Sequence, residues 1–274
     1  MNNSVTMYRV ITVALVLAVI AAGFFLFARQ AGEGAPPSDT SANTMTINPA
    51  STTISKTQSG VTGTGEFKVS LVSSDKLPPA PDFHAPIKFS VDVTPEIRAQ
   101  LEKSSAILIG RIETDSTDLR SWIDLGTLRK IGGDYKGAEV IWQFVTRAAP
   151  DNSIAFENLG DLYQNFLKDY PKAETSFLAA IRVNAGDTNP YRSLFVLYST
   201  VYKTGTSAAE DILKKGIAMN ADALDFKVIL ARYYRDAGRA ADARAAYDAA
   251  ITAADKTGHT QLSADLKAEK AAVR

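Results

Sequence analysis

Between Leu119 and Thr257 the chain writes one pattern four times, and few folds tolerate that. The first copy carries Trp122, Leu125 and Gly126, then Ala138, Trp142, Val145 and Pro150. The second has Phe156, Leu159, Gly160 and Tyr163, then Ala173, Phe177, Ala180 and Ala185. The third has Tyr191, Leu194, Phe195 and Tyr198, then Ala209, Leu213, Gly216 and Ala221. The fourth has Leu230, Ala231 and Tyr234, then Gly238, Ala243, Tyr247 and Ala250. In the first half of each copy the large apolar residues fall at i, i+3, i+4 and i+7, one face of a helix. In the second half a small residue is followed four positions later by a large one: Trp142, Phe177, Leu213, Tyr247. Gly126 and Gly160 leave room for a partner helix, and Gly133 and Gly238 supply turns between paired helices. The spacing between the two halves is uneven. Trp122 to Ala138 is sixteen residues; the second copy inserts one residue in "NFLKDYP" and the third inserts two around Gly205.

This pattern resembles the tetratricopeptide repeat family, whose unit is about 34 residues with Trp-x2-Leu-Gly-x2-Tyr, then Ala-x3-Phe, then Pro. The resemblance covers roughly Leu119–Thr257, with copies at 119–152, 153–187, 188–222 and 224–257. There are departures. Arg129 stands where an aromatic is expected, Lys227 replaces the first aromatic of the fourth copy, and Pro150 is the only terminal proline kept. The resemblance implies an all-α superhelix of about four helix pairs. Flanking helices are expected at about 95–113, opened by Thr94-Pro95-Glu96, and at about 260–273, where a thin apolar stripe suits a solvating cap.

The N-terminal third has another composition. After a short tail at 1–9, Val10–Ala28 holds no charge and one polar side chain, Thr12. As a helix it would span roughly 28 Å, close to the hydrocarbon thickness of a bilayer. It is longer than the apolar core of a cleaved signal peptide, and Ala28-Arg29-Gln30-Ala31 is a poor cleavage site. An uncleaved anchor is therefore the favoured expectation over a removed signal. Arg9 and Arg29 tie the positive-inside count, and the long hydrophilic remainder favours a domain outside the cytoplasm, on the periplasmic side of a bacterial inner membrane. Residues 30–93 are rich in Ser, Thr, Pro and Gly and read as a flexible stalk. Within them Phe67, Val69 and Leu71, and again Ile87, Phe89, Val91 and Val93, alternate with period two. These pieces are extended, either paired or lying along the folded domain at 94–274.

The chemistry is sparse. The formal net charge is zero, which gives no electrostatic footprint for nucleic acid. The absence of cysteine excludes disulfides, thiol catalysis and Cys-based metal sites. His84 and His259 have no partners at useful spacing, and "TGTGEF" lacks the Lys and the helix of a phosphate loop. No catalytic set, metal site or cofactor is expected. The resemblance implies instead a groove lined by the first helices, which holds a peptide or a partner helix. By register its lining is Ile123 and Thr127; Glu157, Asp161 and Asn165; Arg192 and Val196; Val228, Arg232 and Arg235. Ile123 and Thr127 stand where carboxylate-gripping members of the family carry Lys and Asn, which argues against that mode. Such a groove is acidic in the second copy and basic in the third and fourth. Either it meets a ligand of mixed charge or with an acidic end, or Glu157 and Asp161 answer Arg192 internally. The expected function is a membrane-anchored scaffold or adaptor binding another protein. The alternative is a structural subunit that self-associates through its repeat surfaces.

Overall fold

The computed structural model describes residues 77–274. The expected tail, the anchor at 10–28 and the stalk as far as residue 76 lie outside the described residues. Among the described residues no helix is long and apolar enough to cross a membrane.

Ten α-helices follow residue 94 among the described residues: α1 (Pro95–Thr114), α2 (Leu119–Ile131), α3 (Tyr135–Ala148), α4 (Ser153–Asp161), α5 (Tyr170–Val183), α6 (Asn189–Thr200), α7 (Ala208–Met219), α8 (Leu224–Asp236), α9 (Ala240–Lys256) and α10 (Thr260–Ala271). The first five start where the sequence supplies a side-chain cap. Thr94 accepts from the Ile97 amide, Asp118 from Ser121, Asp134 from Gly137, Asn152 from Ala155 and Asp169 from Lys172. Each such cap contributes about 1 kcal/mol. α2 packs on α3, α4 on α5, α6 on α7 and α8 on α9 as hairpins, and every helix packs chiefly on its neighbours in the chain. The result is a linear stack of pairs, flanked by α1 and α10. One continuous core runs through it, from Ile112 through both tryptophans to Leu266.

Most of the large repeat residues are core residues: Trp122, Trp142, Tyr191 and Tyr247 are fully buried, while Phe156 and Phe195 are partly buried and Pro150 and Ala221 are exposed. In the fourth copy the fully buried aromatic is Phe226, one residue before Lys227. Both indoles are satisfied, Trp122 donating to the Ser116 carbonyl at 3.0 Å and Trp142 to that of Ile123 at 3.1 Å. The expected close approach is present. A Cβ on Gly126 would stand 2.4 Å from Trp142 Nε1, and one on Gly160 would stand 2.5 Å from Phe177. The α2–α3 turn depends on Gly133, whose φ of +87° lies in the region disfavoured for other residues.

The single inserted residue of the second copy is absorbed inside the helix. Leu162–Leu167 forms a π-helical turn continuous with α4, and Lys168 then ends it in the left-handed conformation. A π turn widens the helix by one residue without breaking the chain direction. Phe177, beyond the insertion, thereby still packs on Gly160 as Trp142 packs on Gly126. The two extra residues of the third copy are instead spread over the α6–α7 loop, where Lys203 and Gly205 both have positive φ.

Successive repeats are joined by one recurring contact. The Tyr163 hydroxyl donates to Glu139 at 2.9 Å, that of Tyr198 to Glu174 at 2.6 Å and that of Tyr234 to Glu210 at 2.8 Å. In each case the residues are 24 apart, with the acid on the second helix of one repeat and the tyrosine on the first helix of the next. Each acid immediately follows the small residue of its pattern, Ala138, Ala173 or Ala209.

One boundary moves. Within the segment 30–93, read as flexible, residues 83–90 lie against the domain. Residues 83, 85, 87 and 89 are partly buried, while 84, 86 and 88 are exposed. Period-two side chains thus settle on the helices, because Phe83, Ile87 and Phe89 find apolar surface there. Val91, by contrast, is exposed in a turn.

Candidate interaction surface

Expected groove residues come from α2, α4 with its π turn, α6 and α8, and the structure places them unevenly. Ile123 and Val228 are buried at 7% exposure each; Ile123 belongs to the core rather than to an open lining, and Val228 keeps only a sliver of surface, on the floor of a recess between α8 and α10. Helix rotation is the reason: one step along the helix separates Ile123 from Trp122, and the packed neighbour covers both. Thr127 turns its hydroxyl back to the Ile123 carbonyl at 3.0 Å. Asn165 is exposed on the π turn, and Val196 is 42% exposed on α6.

The charges are organised differently from the expectation of a basic groove over the third and fourth copies. Arg192 pairs with Asp225 of α8. Arg232 forks onto Glu269 of α10, Nε at 3.0 Å and Nη2 at 2.6 Å, the two-pronged geometry that favours Arg over Lys. Arg235 reaches the same carboxylate at 3.0 Å and the Tyr247 hydroxyl at 3.1 Å. Hydrogen bonds from Arg232, then from Tyr247, hold the Glu269 carboxyl below the usual range against the opposing effect of burial. Each arginine therefore already has a carboxylate. Asp161 likewise does not answer Arg192. It pairs with Lys130 of α2 at 2.9 Å and accepts from Asn165 at 2.7 Å. The Lys130 ammonium also lies 5.6 Å from the Phe166 ring and 5.9 Å from that of Trp142.

Glu157 is the exception. Burial, followed by the charge of Asp187, pushes its carboxyl up to about 7. The charge that acts on Glu157 from the loop before α6 is thus another acid, where the other steps carry opposite charges. Beyond this, Leu224, Val228, Ile229 and Leu262 floor a shallow recess of about 450 Å³ between α8 and α10, rimmed by Asp225 and Arg232. The two histidines lie apart. His84 faces Glu113 at 3.6 Å, and His259 Nδ1 meets the Thr257 hydroxyl at 2.8 Å.

Sequence reasoning missed Lys130, Asp225 and Glu269, the partners that bridge one first helix to the next. It also missed the acids Glu139, Glu174 and Glu210. The latter had a signal, an Ala-Glu pair recurring 24 residues ahead of a tyrosine.

No protein-family model matches the chain, and no curated protein matches it. Among solved structures, the chain is similar to a crystal structure of MamA, at 16% identity and a TM-score of 0.47, covering 62% of this chain and 99% of that one. A second crystal structure of MamA protein aligns at 21% identity and a TM-score of 0.40, covering 56% of this chain and 89% of that one.

Proposed function

We propose that this chain is a tetratricopeptide-type interaction module carried on a membrane anchor. The helix at 10–28 would hold it in the bilayer and the Ser/Thr/Pro-rich spacer would set its reach, with the stack outside the cytoplasm. Its action is recruitment. Confinement near a membrane raises the effective concentration of the domain for other membrane-associated proteins, and no reaction of its own is assigned.

The observation that carries this reading is the lateral bridging of first helices. Lys130 to Asp161, Arg192 to Asp225 and Arg232 to Glu269 each cross from one such helix to the next element along the stack. A face whose charges are matched internally is built to persist as a surface. What it leaves exposed is apolar, Val196 and Phe166, and what it leaves unmatched is acidic, the half-buried Glu157 with Asp187. A protein segment with apolar side chains and one basic group fits that face better than the acidic ligand that unpaired arginines would select.

Affinity capture from detergent-solubilised membranes tests this, with the full chain as bait beside its Val196→Glu variant. A partner held by the parent chain and lost with the folded variant supports the reading. Equal capture by both would move recognition off this face. Recovery of the chain alone would favour a self-assembling structural subunit.

A further inference from the structure

We propose that residues 83–90 form a detachable strap, a tethered extended ligand seated on a receptor surface made by α1 and α2, with Arg129 as the residue that grips it. The inference does not depend on where residues 1–76 reside or on the partner proposed above.

Arg129 occupies the position that Tyr163, Tyr198 and Tyr234 fill in the later copies. Those tyrosines bond the acid 24 residues earlier, and at that distance before Arg129 stands Ser105, on α1. The first step of the stack therefore lacks the recurring contact, and the strap is laced across that step instead. The Arg129 guanidinium is buried at 3% exposure and fixed by Asp134 at 2.7 Å. Its Nη2 donates to the main-chain carbonyls of Ala85 at 2.5 Å and Phe83 at 3.3 Å. The Ser90 amide closes the other end on the Gly132 carbonyl at 2.8 Å. Apolar contacts sit between these bonds. The Phe83 ring meets Trp122 edge-on at 4.9 Å, and Ile87 and Phe89 lie over Gly132, where a Cβ would come within 2.9 Å of Ile87. On the α1 side Arg98 stacks over Phe89 at 4.9 Å.

This is recognition of an extended peptide. Guanidinium donors aimed at backbone carbonyls read conformation rather than sequence, and apolar side chains at alternate positions give register. It is also a light attachment. Every second strap residue faces solvent, and few polar bonds reach the helices. The closed state carries a cost too, because Arg129 Nε is buried without a partner and would be hydrated on opening. Weakly held segments open locally, ahead of the fold that bears them. When the strap lifts, the edge of Trp122, the Arg129 fork and the Gly132 carbonyl form an empty site for an extended segment with apolar residues at alternate positions.

The full chain without native cysteines or added tags suffices for the test. Trypsin is applied to the parent chain and to Arg129→Gln, following cleavage after the exposed Lys88. In parallel, a fluorescent peptide spanning residues 81–92 is titrated onto the parent chain and onto the strap variant F83S/I87S/F89S, with and without R129Q. The proposal predicts cleavage after Lys88 at least about tenfold faster than cleavage within α2–α10, and faster still in Arg129→Gln. It predicts that the strap variant keeps its helicity and binds the peptide at least about tenfold more tightly than the parent, whose own strap competes from its tether. That binding is lost on adding R129Q. Cleavage after Lys88 in step with the helices would overturn it. So would loss of helicity in the strap variant, which makes the segment an integral cap, or a folded strap variant that does not take up the peptide.

Discussion

The Tyr198 hydroxyl donates to Glu174 across the junction of two repeats at 2.6 Å, and Lys203 approaches the same carboxylate. Burial works against ionisation of Glu174, but hydrogen bonds from Lys203 and Tyr198 leave its carboxyl below the usual range. Burial, reinforced by this acid, raises the tyrosine hydroxyl above its ordinary value. Tyr198→Phe keeps the ring in the core and removes one bond, so it should cost about 1 kcal/mol. Glu174→Ala leaves the hydroxyl unpartnered and should cost about 1–3 kcal/mol. Urea denaturation of the two variants and of the double variant checks the order and the coupling.

Gly126→Ala should destabilise by about 1–3 kcal/mol or more, because its Cβ would fall within 2.4 Å of the Trp142 indole in a fully packed core. The shift of the thermal midpoint measures it. Ser at the same place should behave no better, since the obstacle is volume.

Glu157 makes the fold sensitive to pH. Its carboxyl is raised from 4.5 to about 7 in the folded chain, so the folded state holds its proton longer than the unfolded state. That contribution is complete below the ordinary carboxylate value and is lost as pH rises through the folded one. Glu157→Gln should match the parent in acid and exceed it in stability above neutral pH. Melting both proteins across the acid-to-alkaline range tests the sign. A parent chain that instead gains on the variant as pH rises would contradict it.

Gln164 lies in the π turn at 8% exposure with its Oε1 unsatisfied. Gln164→Met keeps the length of the side chain and removes the stranded oxygen. It should raise stability by about 1 kcal/mol, read from the urea midpoint.

What the sequence disclosed follows from period. Burial on a helix repeats with the helix, so Trp122, Leu125, Ala138 and Trp142 announce both helices and their pairing. The one-residue excess before Ala173 announced an irregularity, which the chain resolves as a π turn rather than a longer loop. The charges were not legible in the same way. Arg192 meets an acid 33 residues away and Arg232 one 37 residues away, and which acid answers depends on a few tens of degrees of helix rotation. The same rotation turns Ile123 and Val228 inward. Arg129 looked like a defect in the pattern, because the carbonyls it holds belong to a segment more than forty residues upstream that has no helical period of its own.

The described domain is a stack stabilised step by step between neighbours. The chain offers a direct probe, since its two tryptophans, Trp122 and Trp142, both lie in the first repeat. Urea unfolding of Glu210→Ala, which breaks the contact to Tyr234 between the third and fourth repeats, should be followed by tryptophan fluorescence and by helical circular dichroism together. A nearest-neighbour stack predicts that the dichroism midpoint falls while the fluorescence midpoint moves much less. Equal displacement of both signals would mean one indivisible core and would contradict the account.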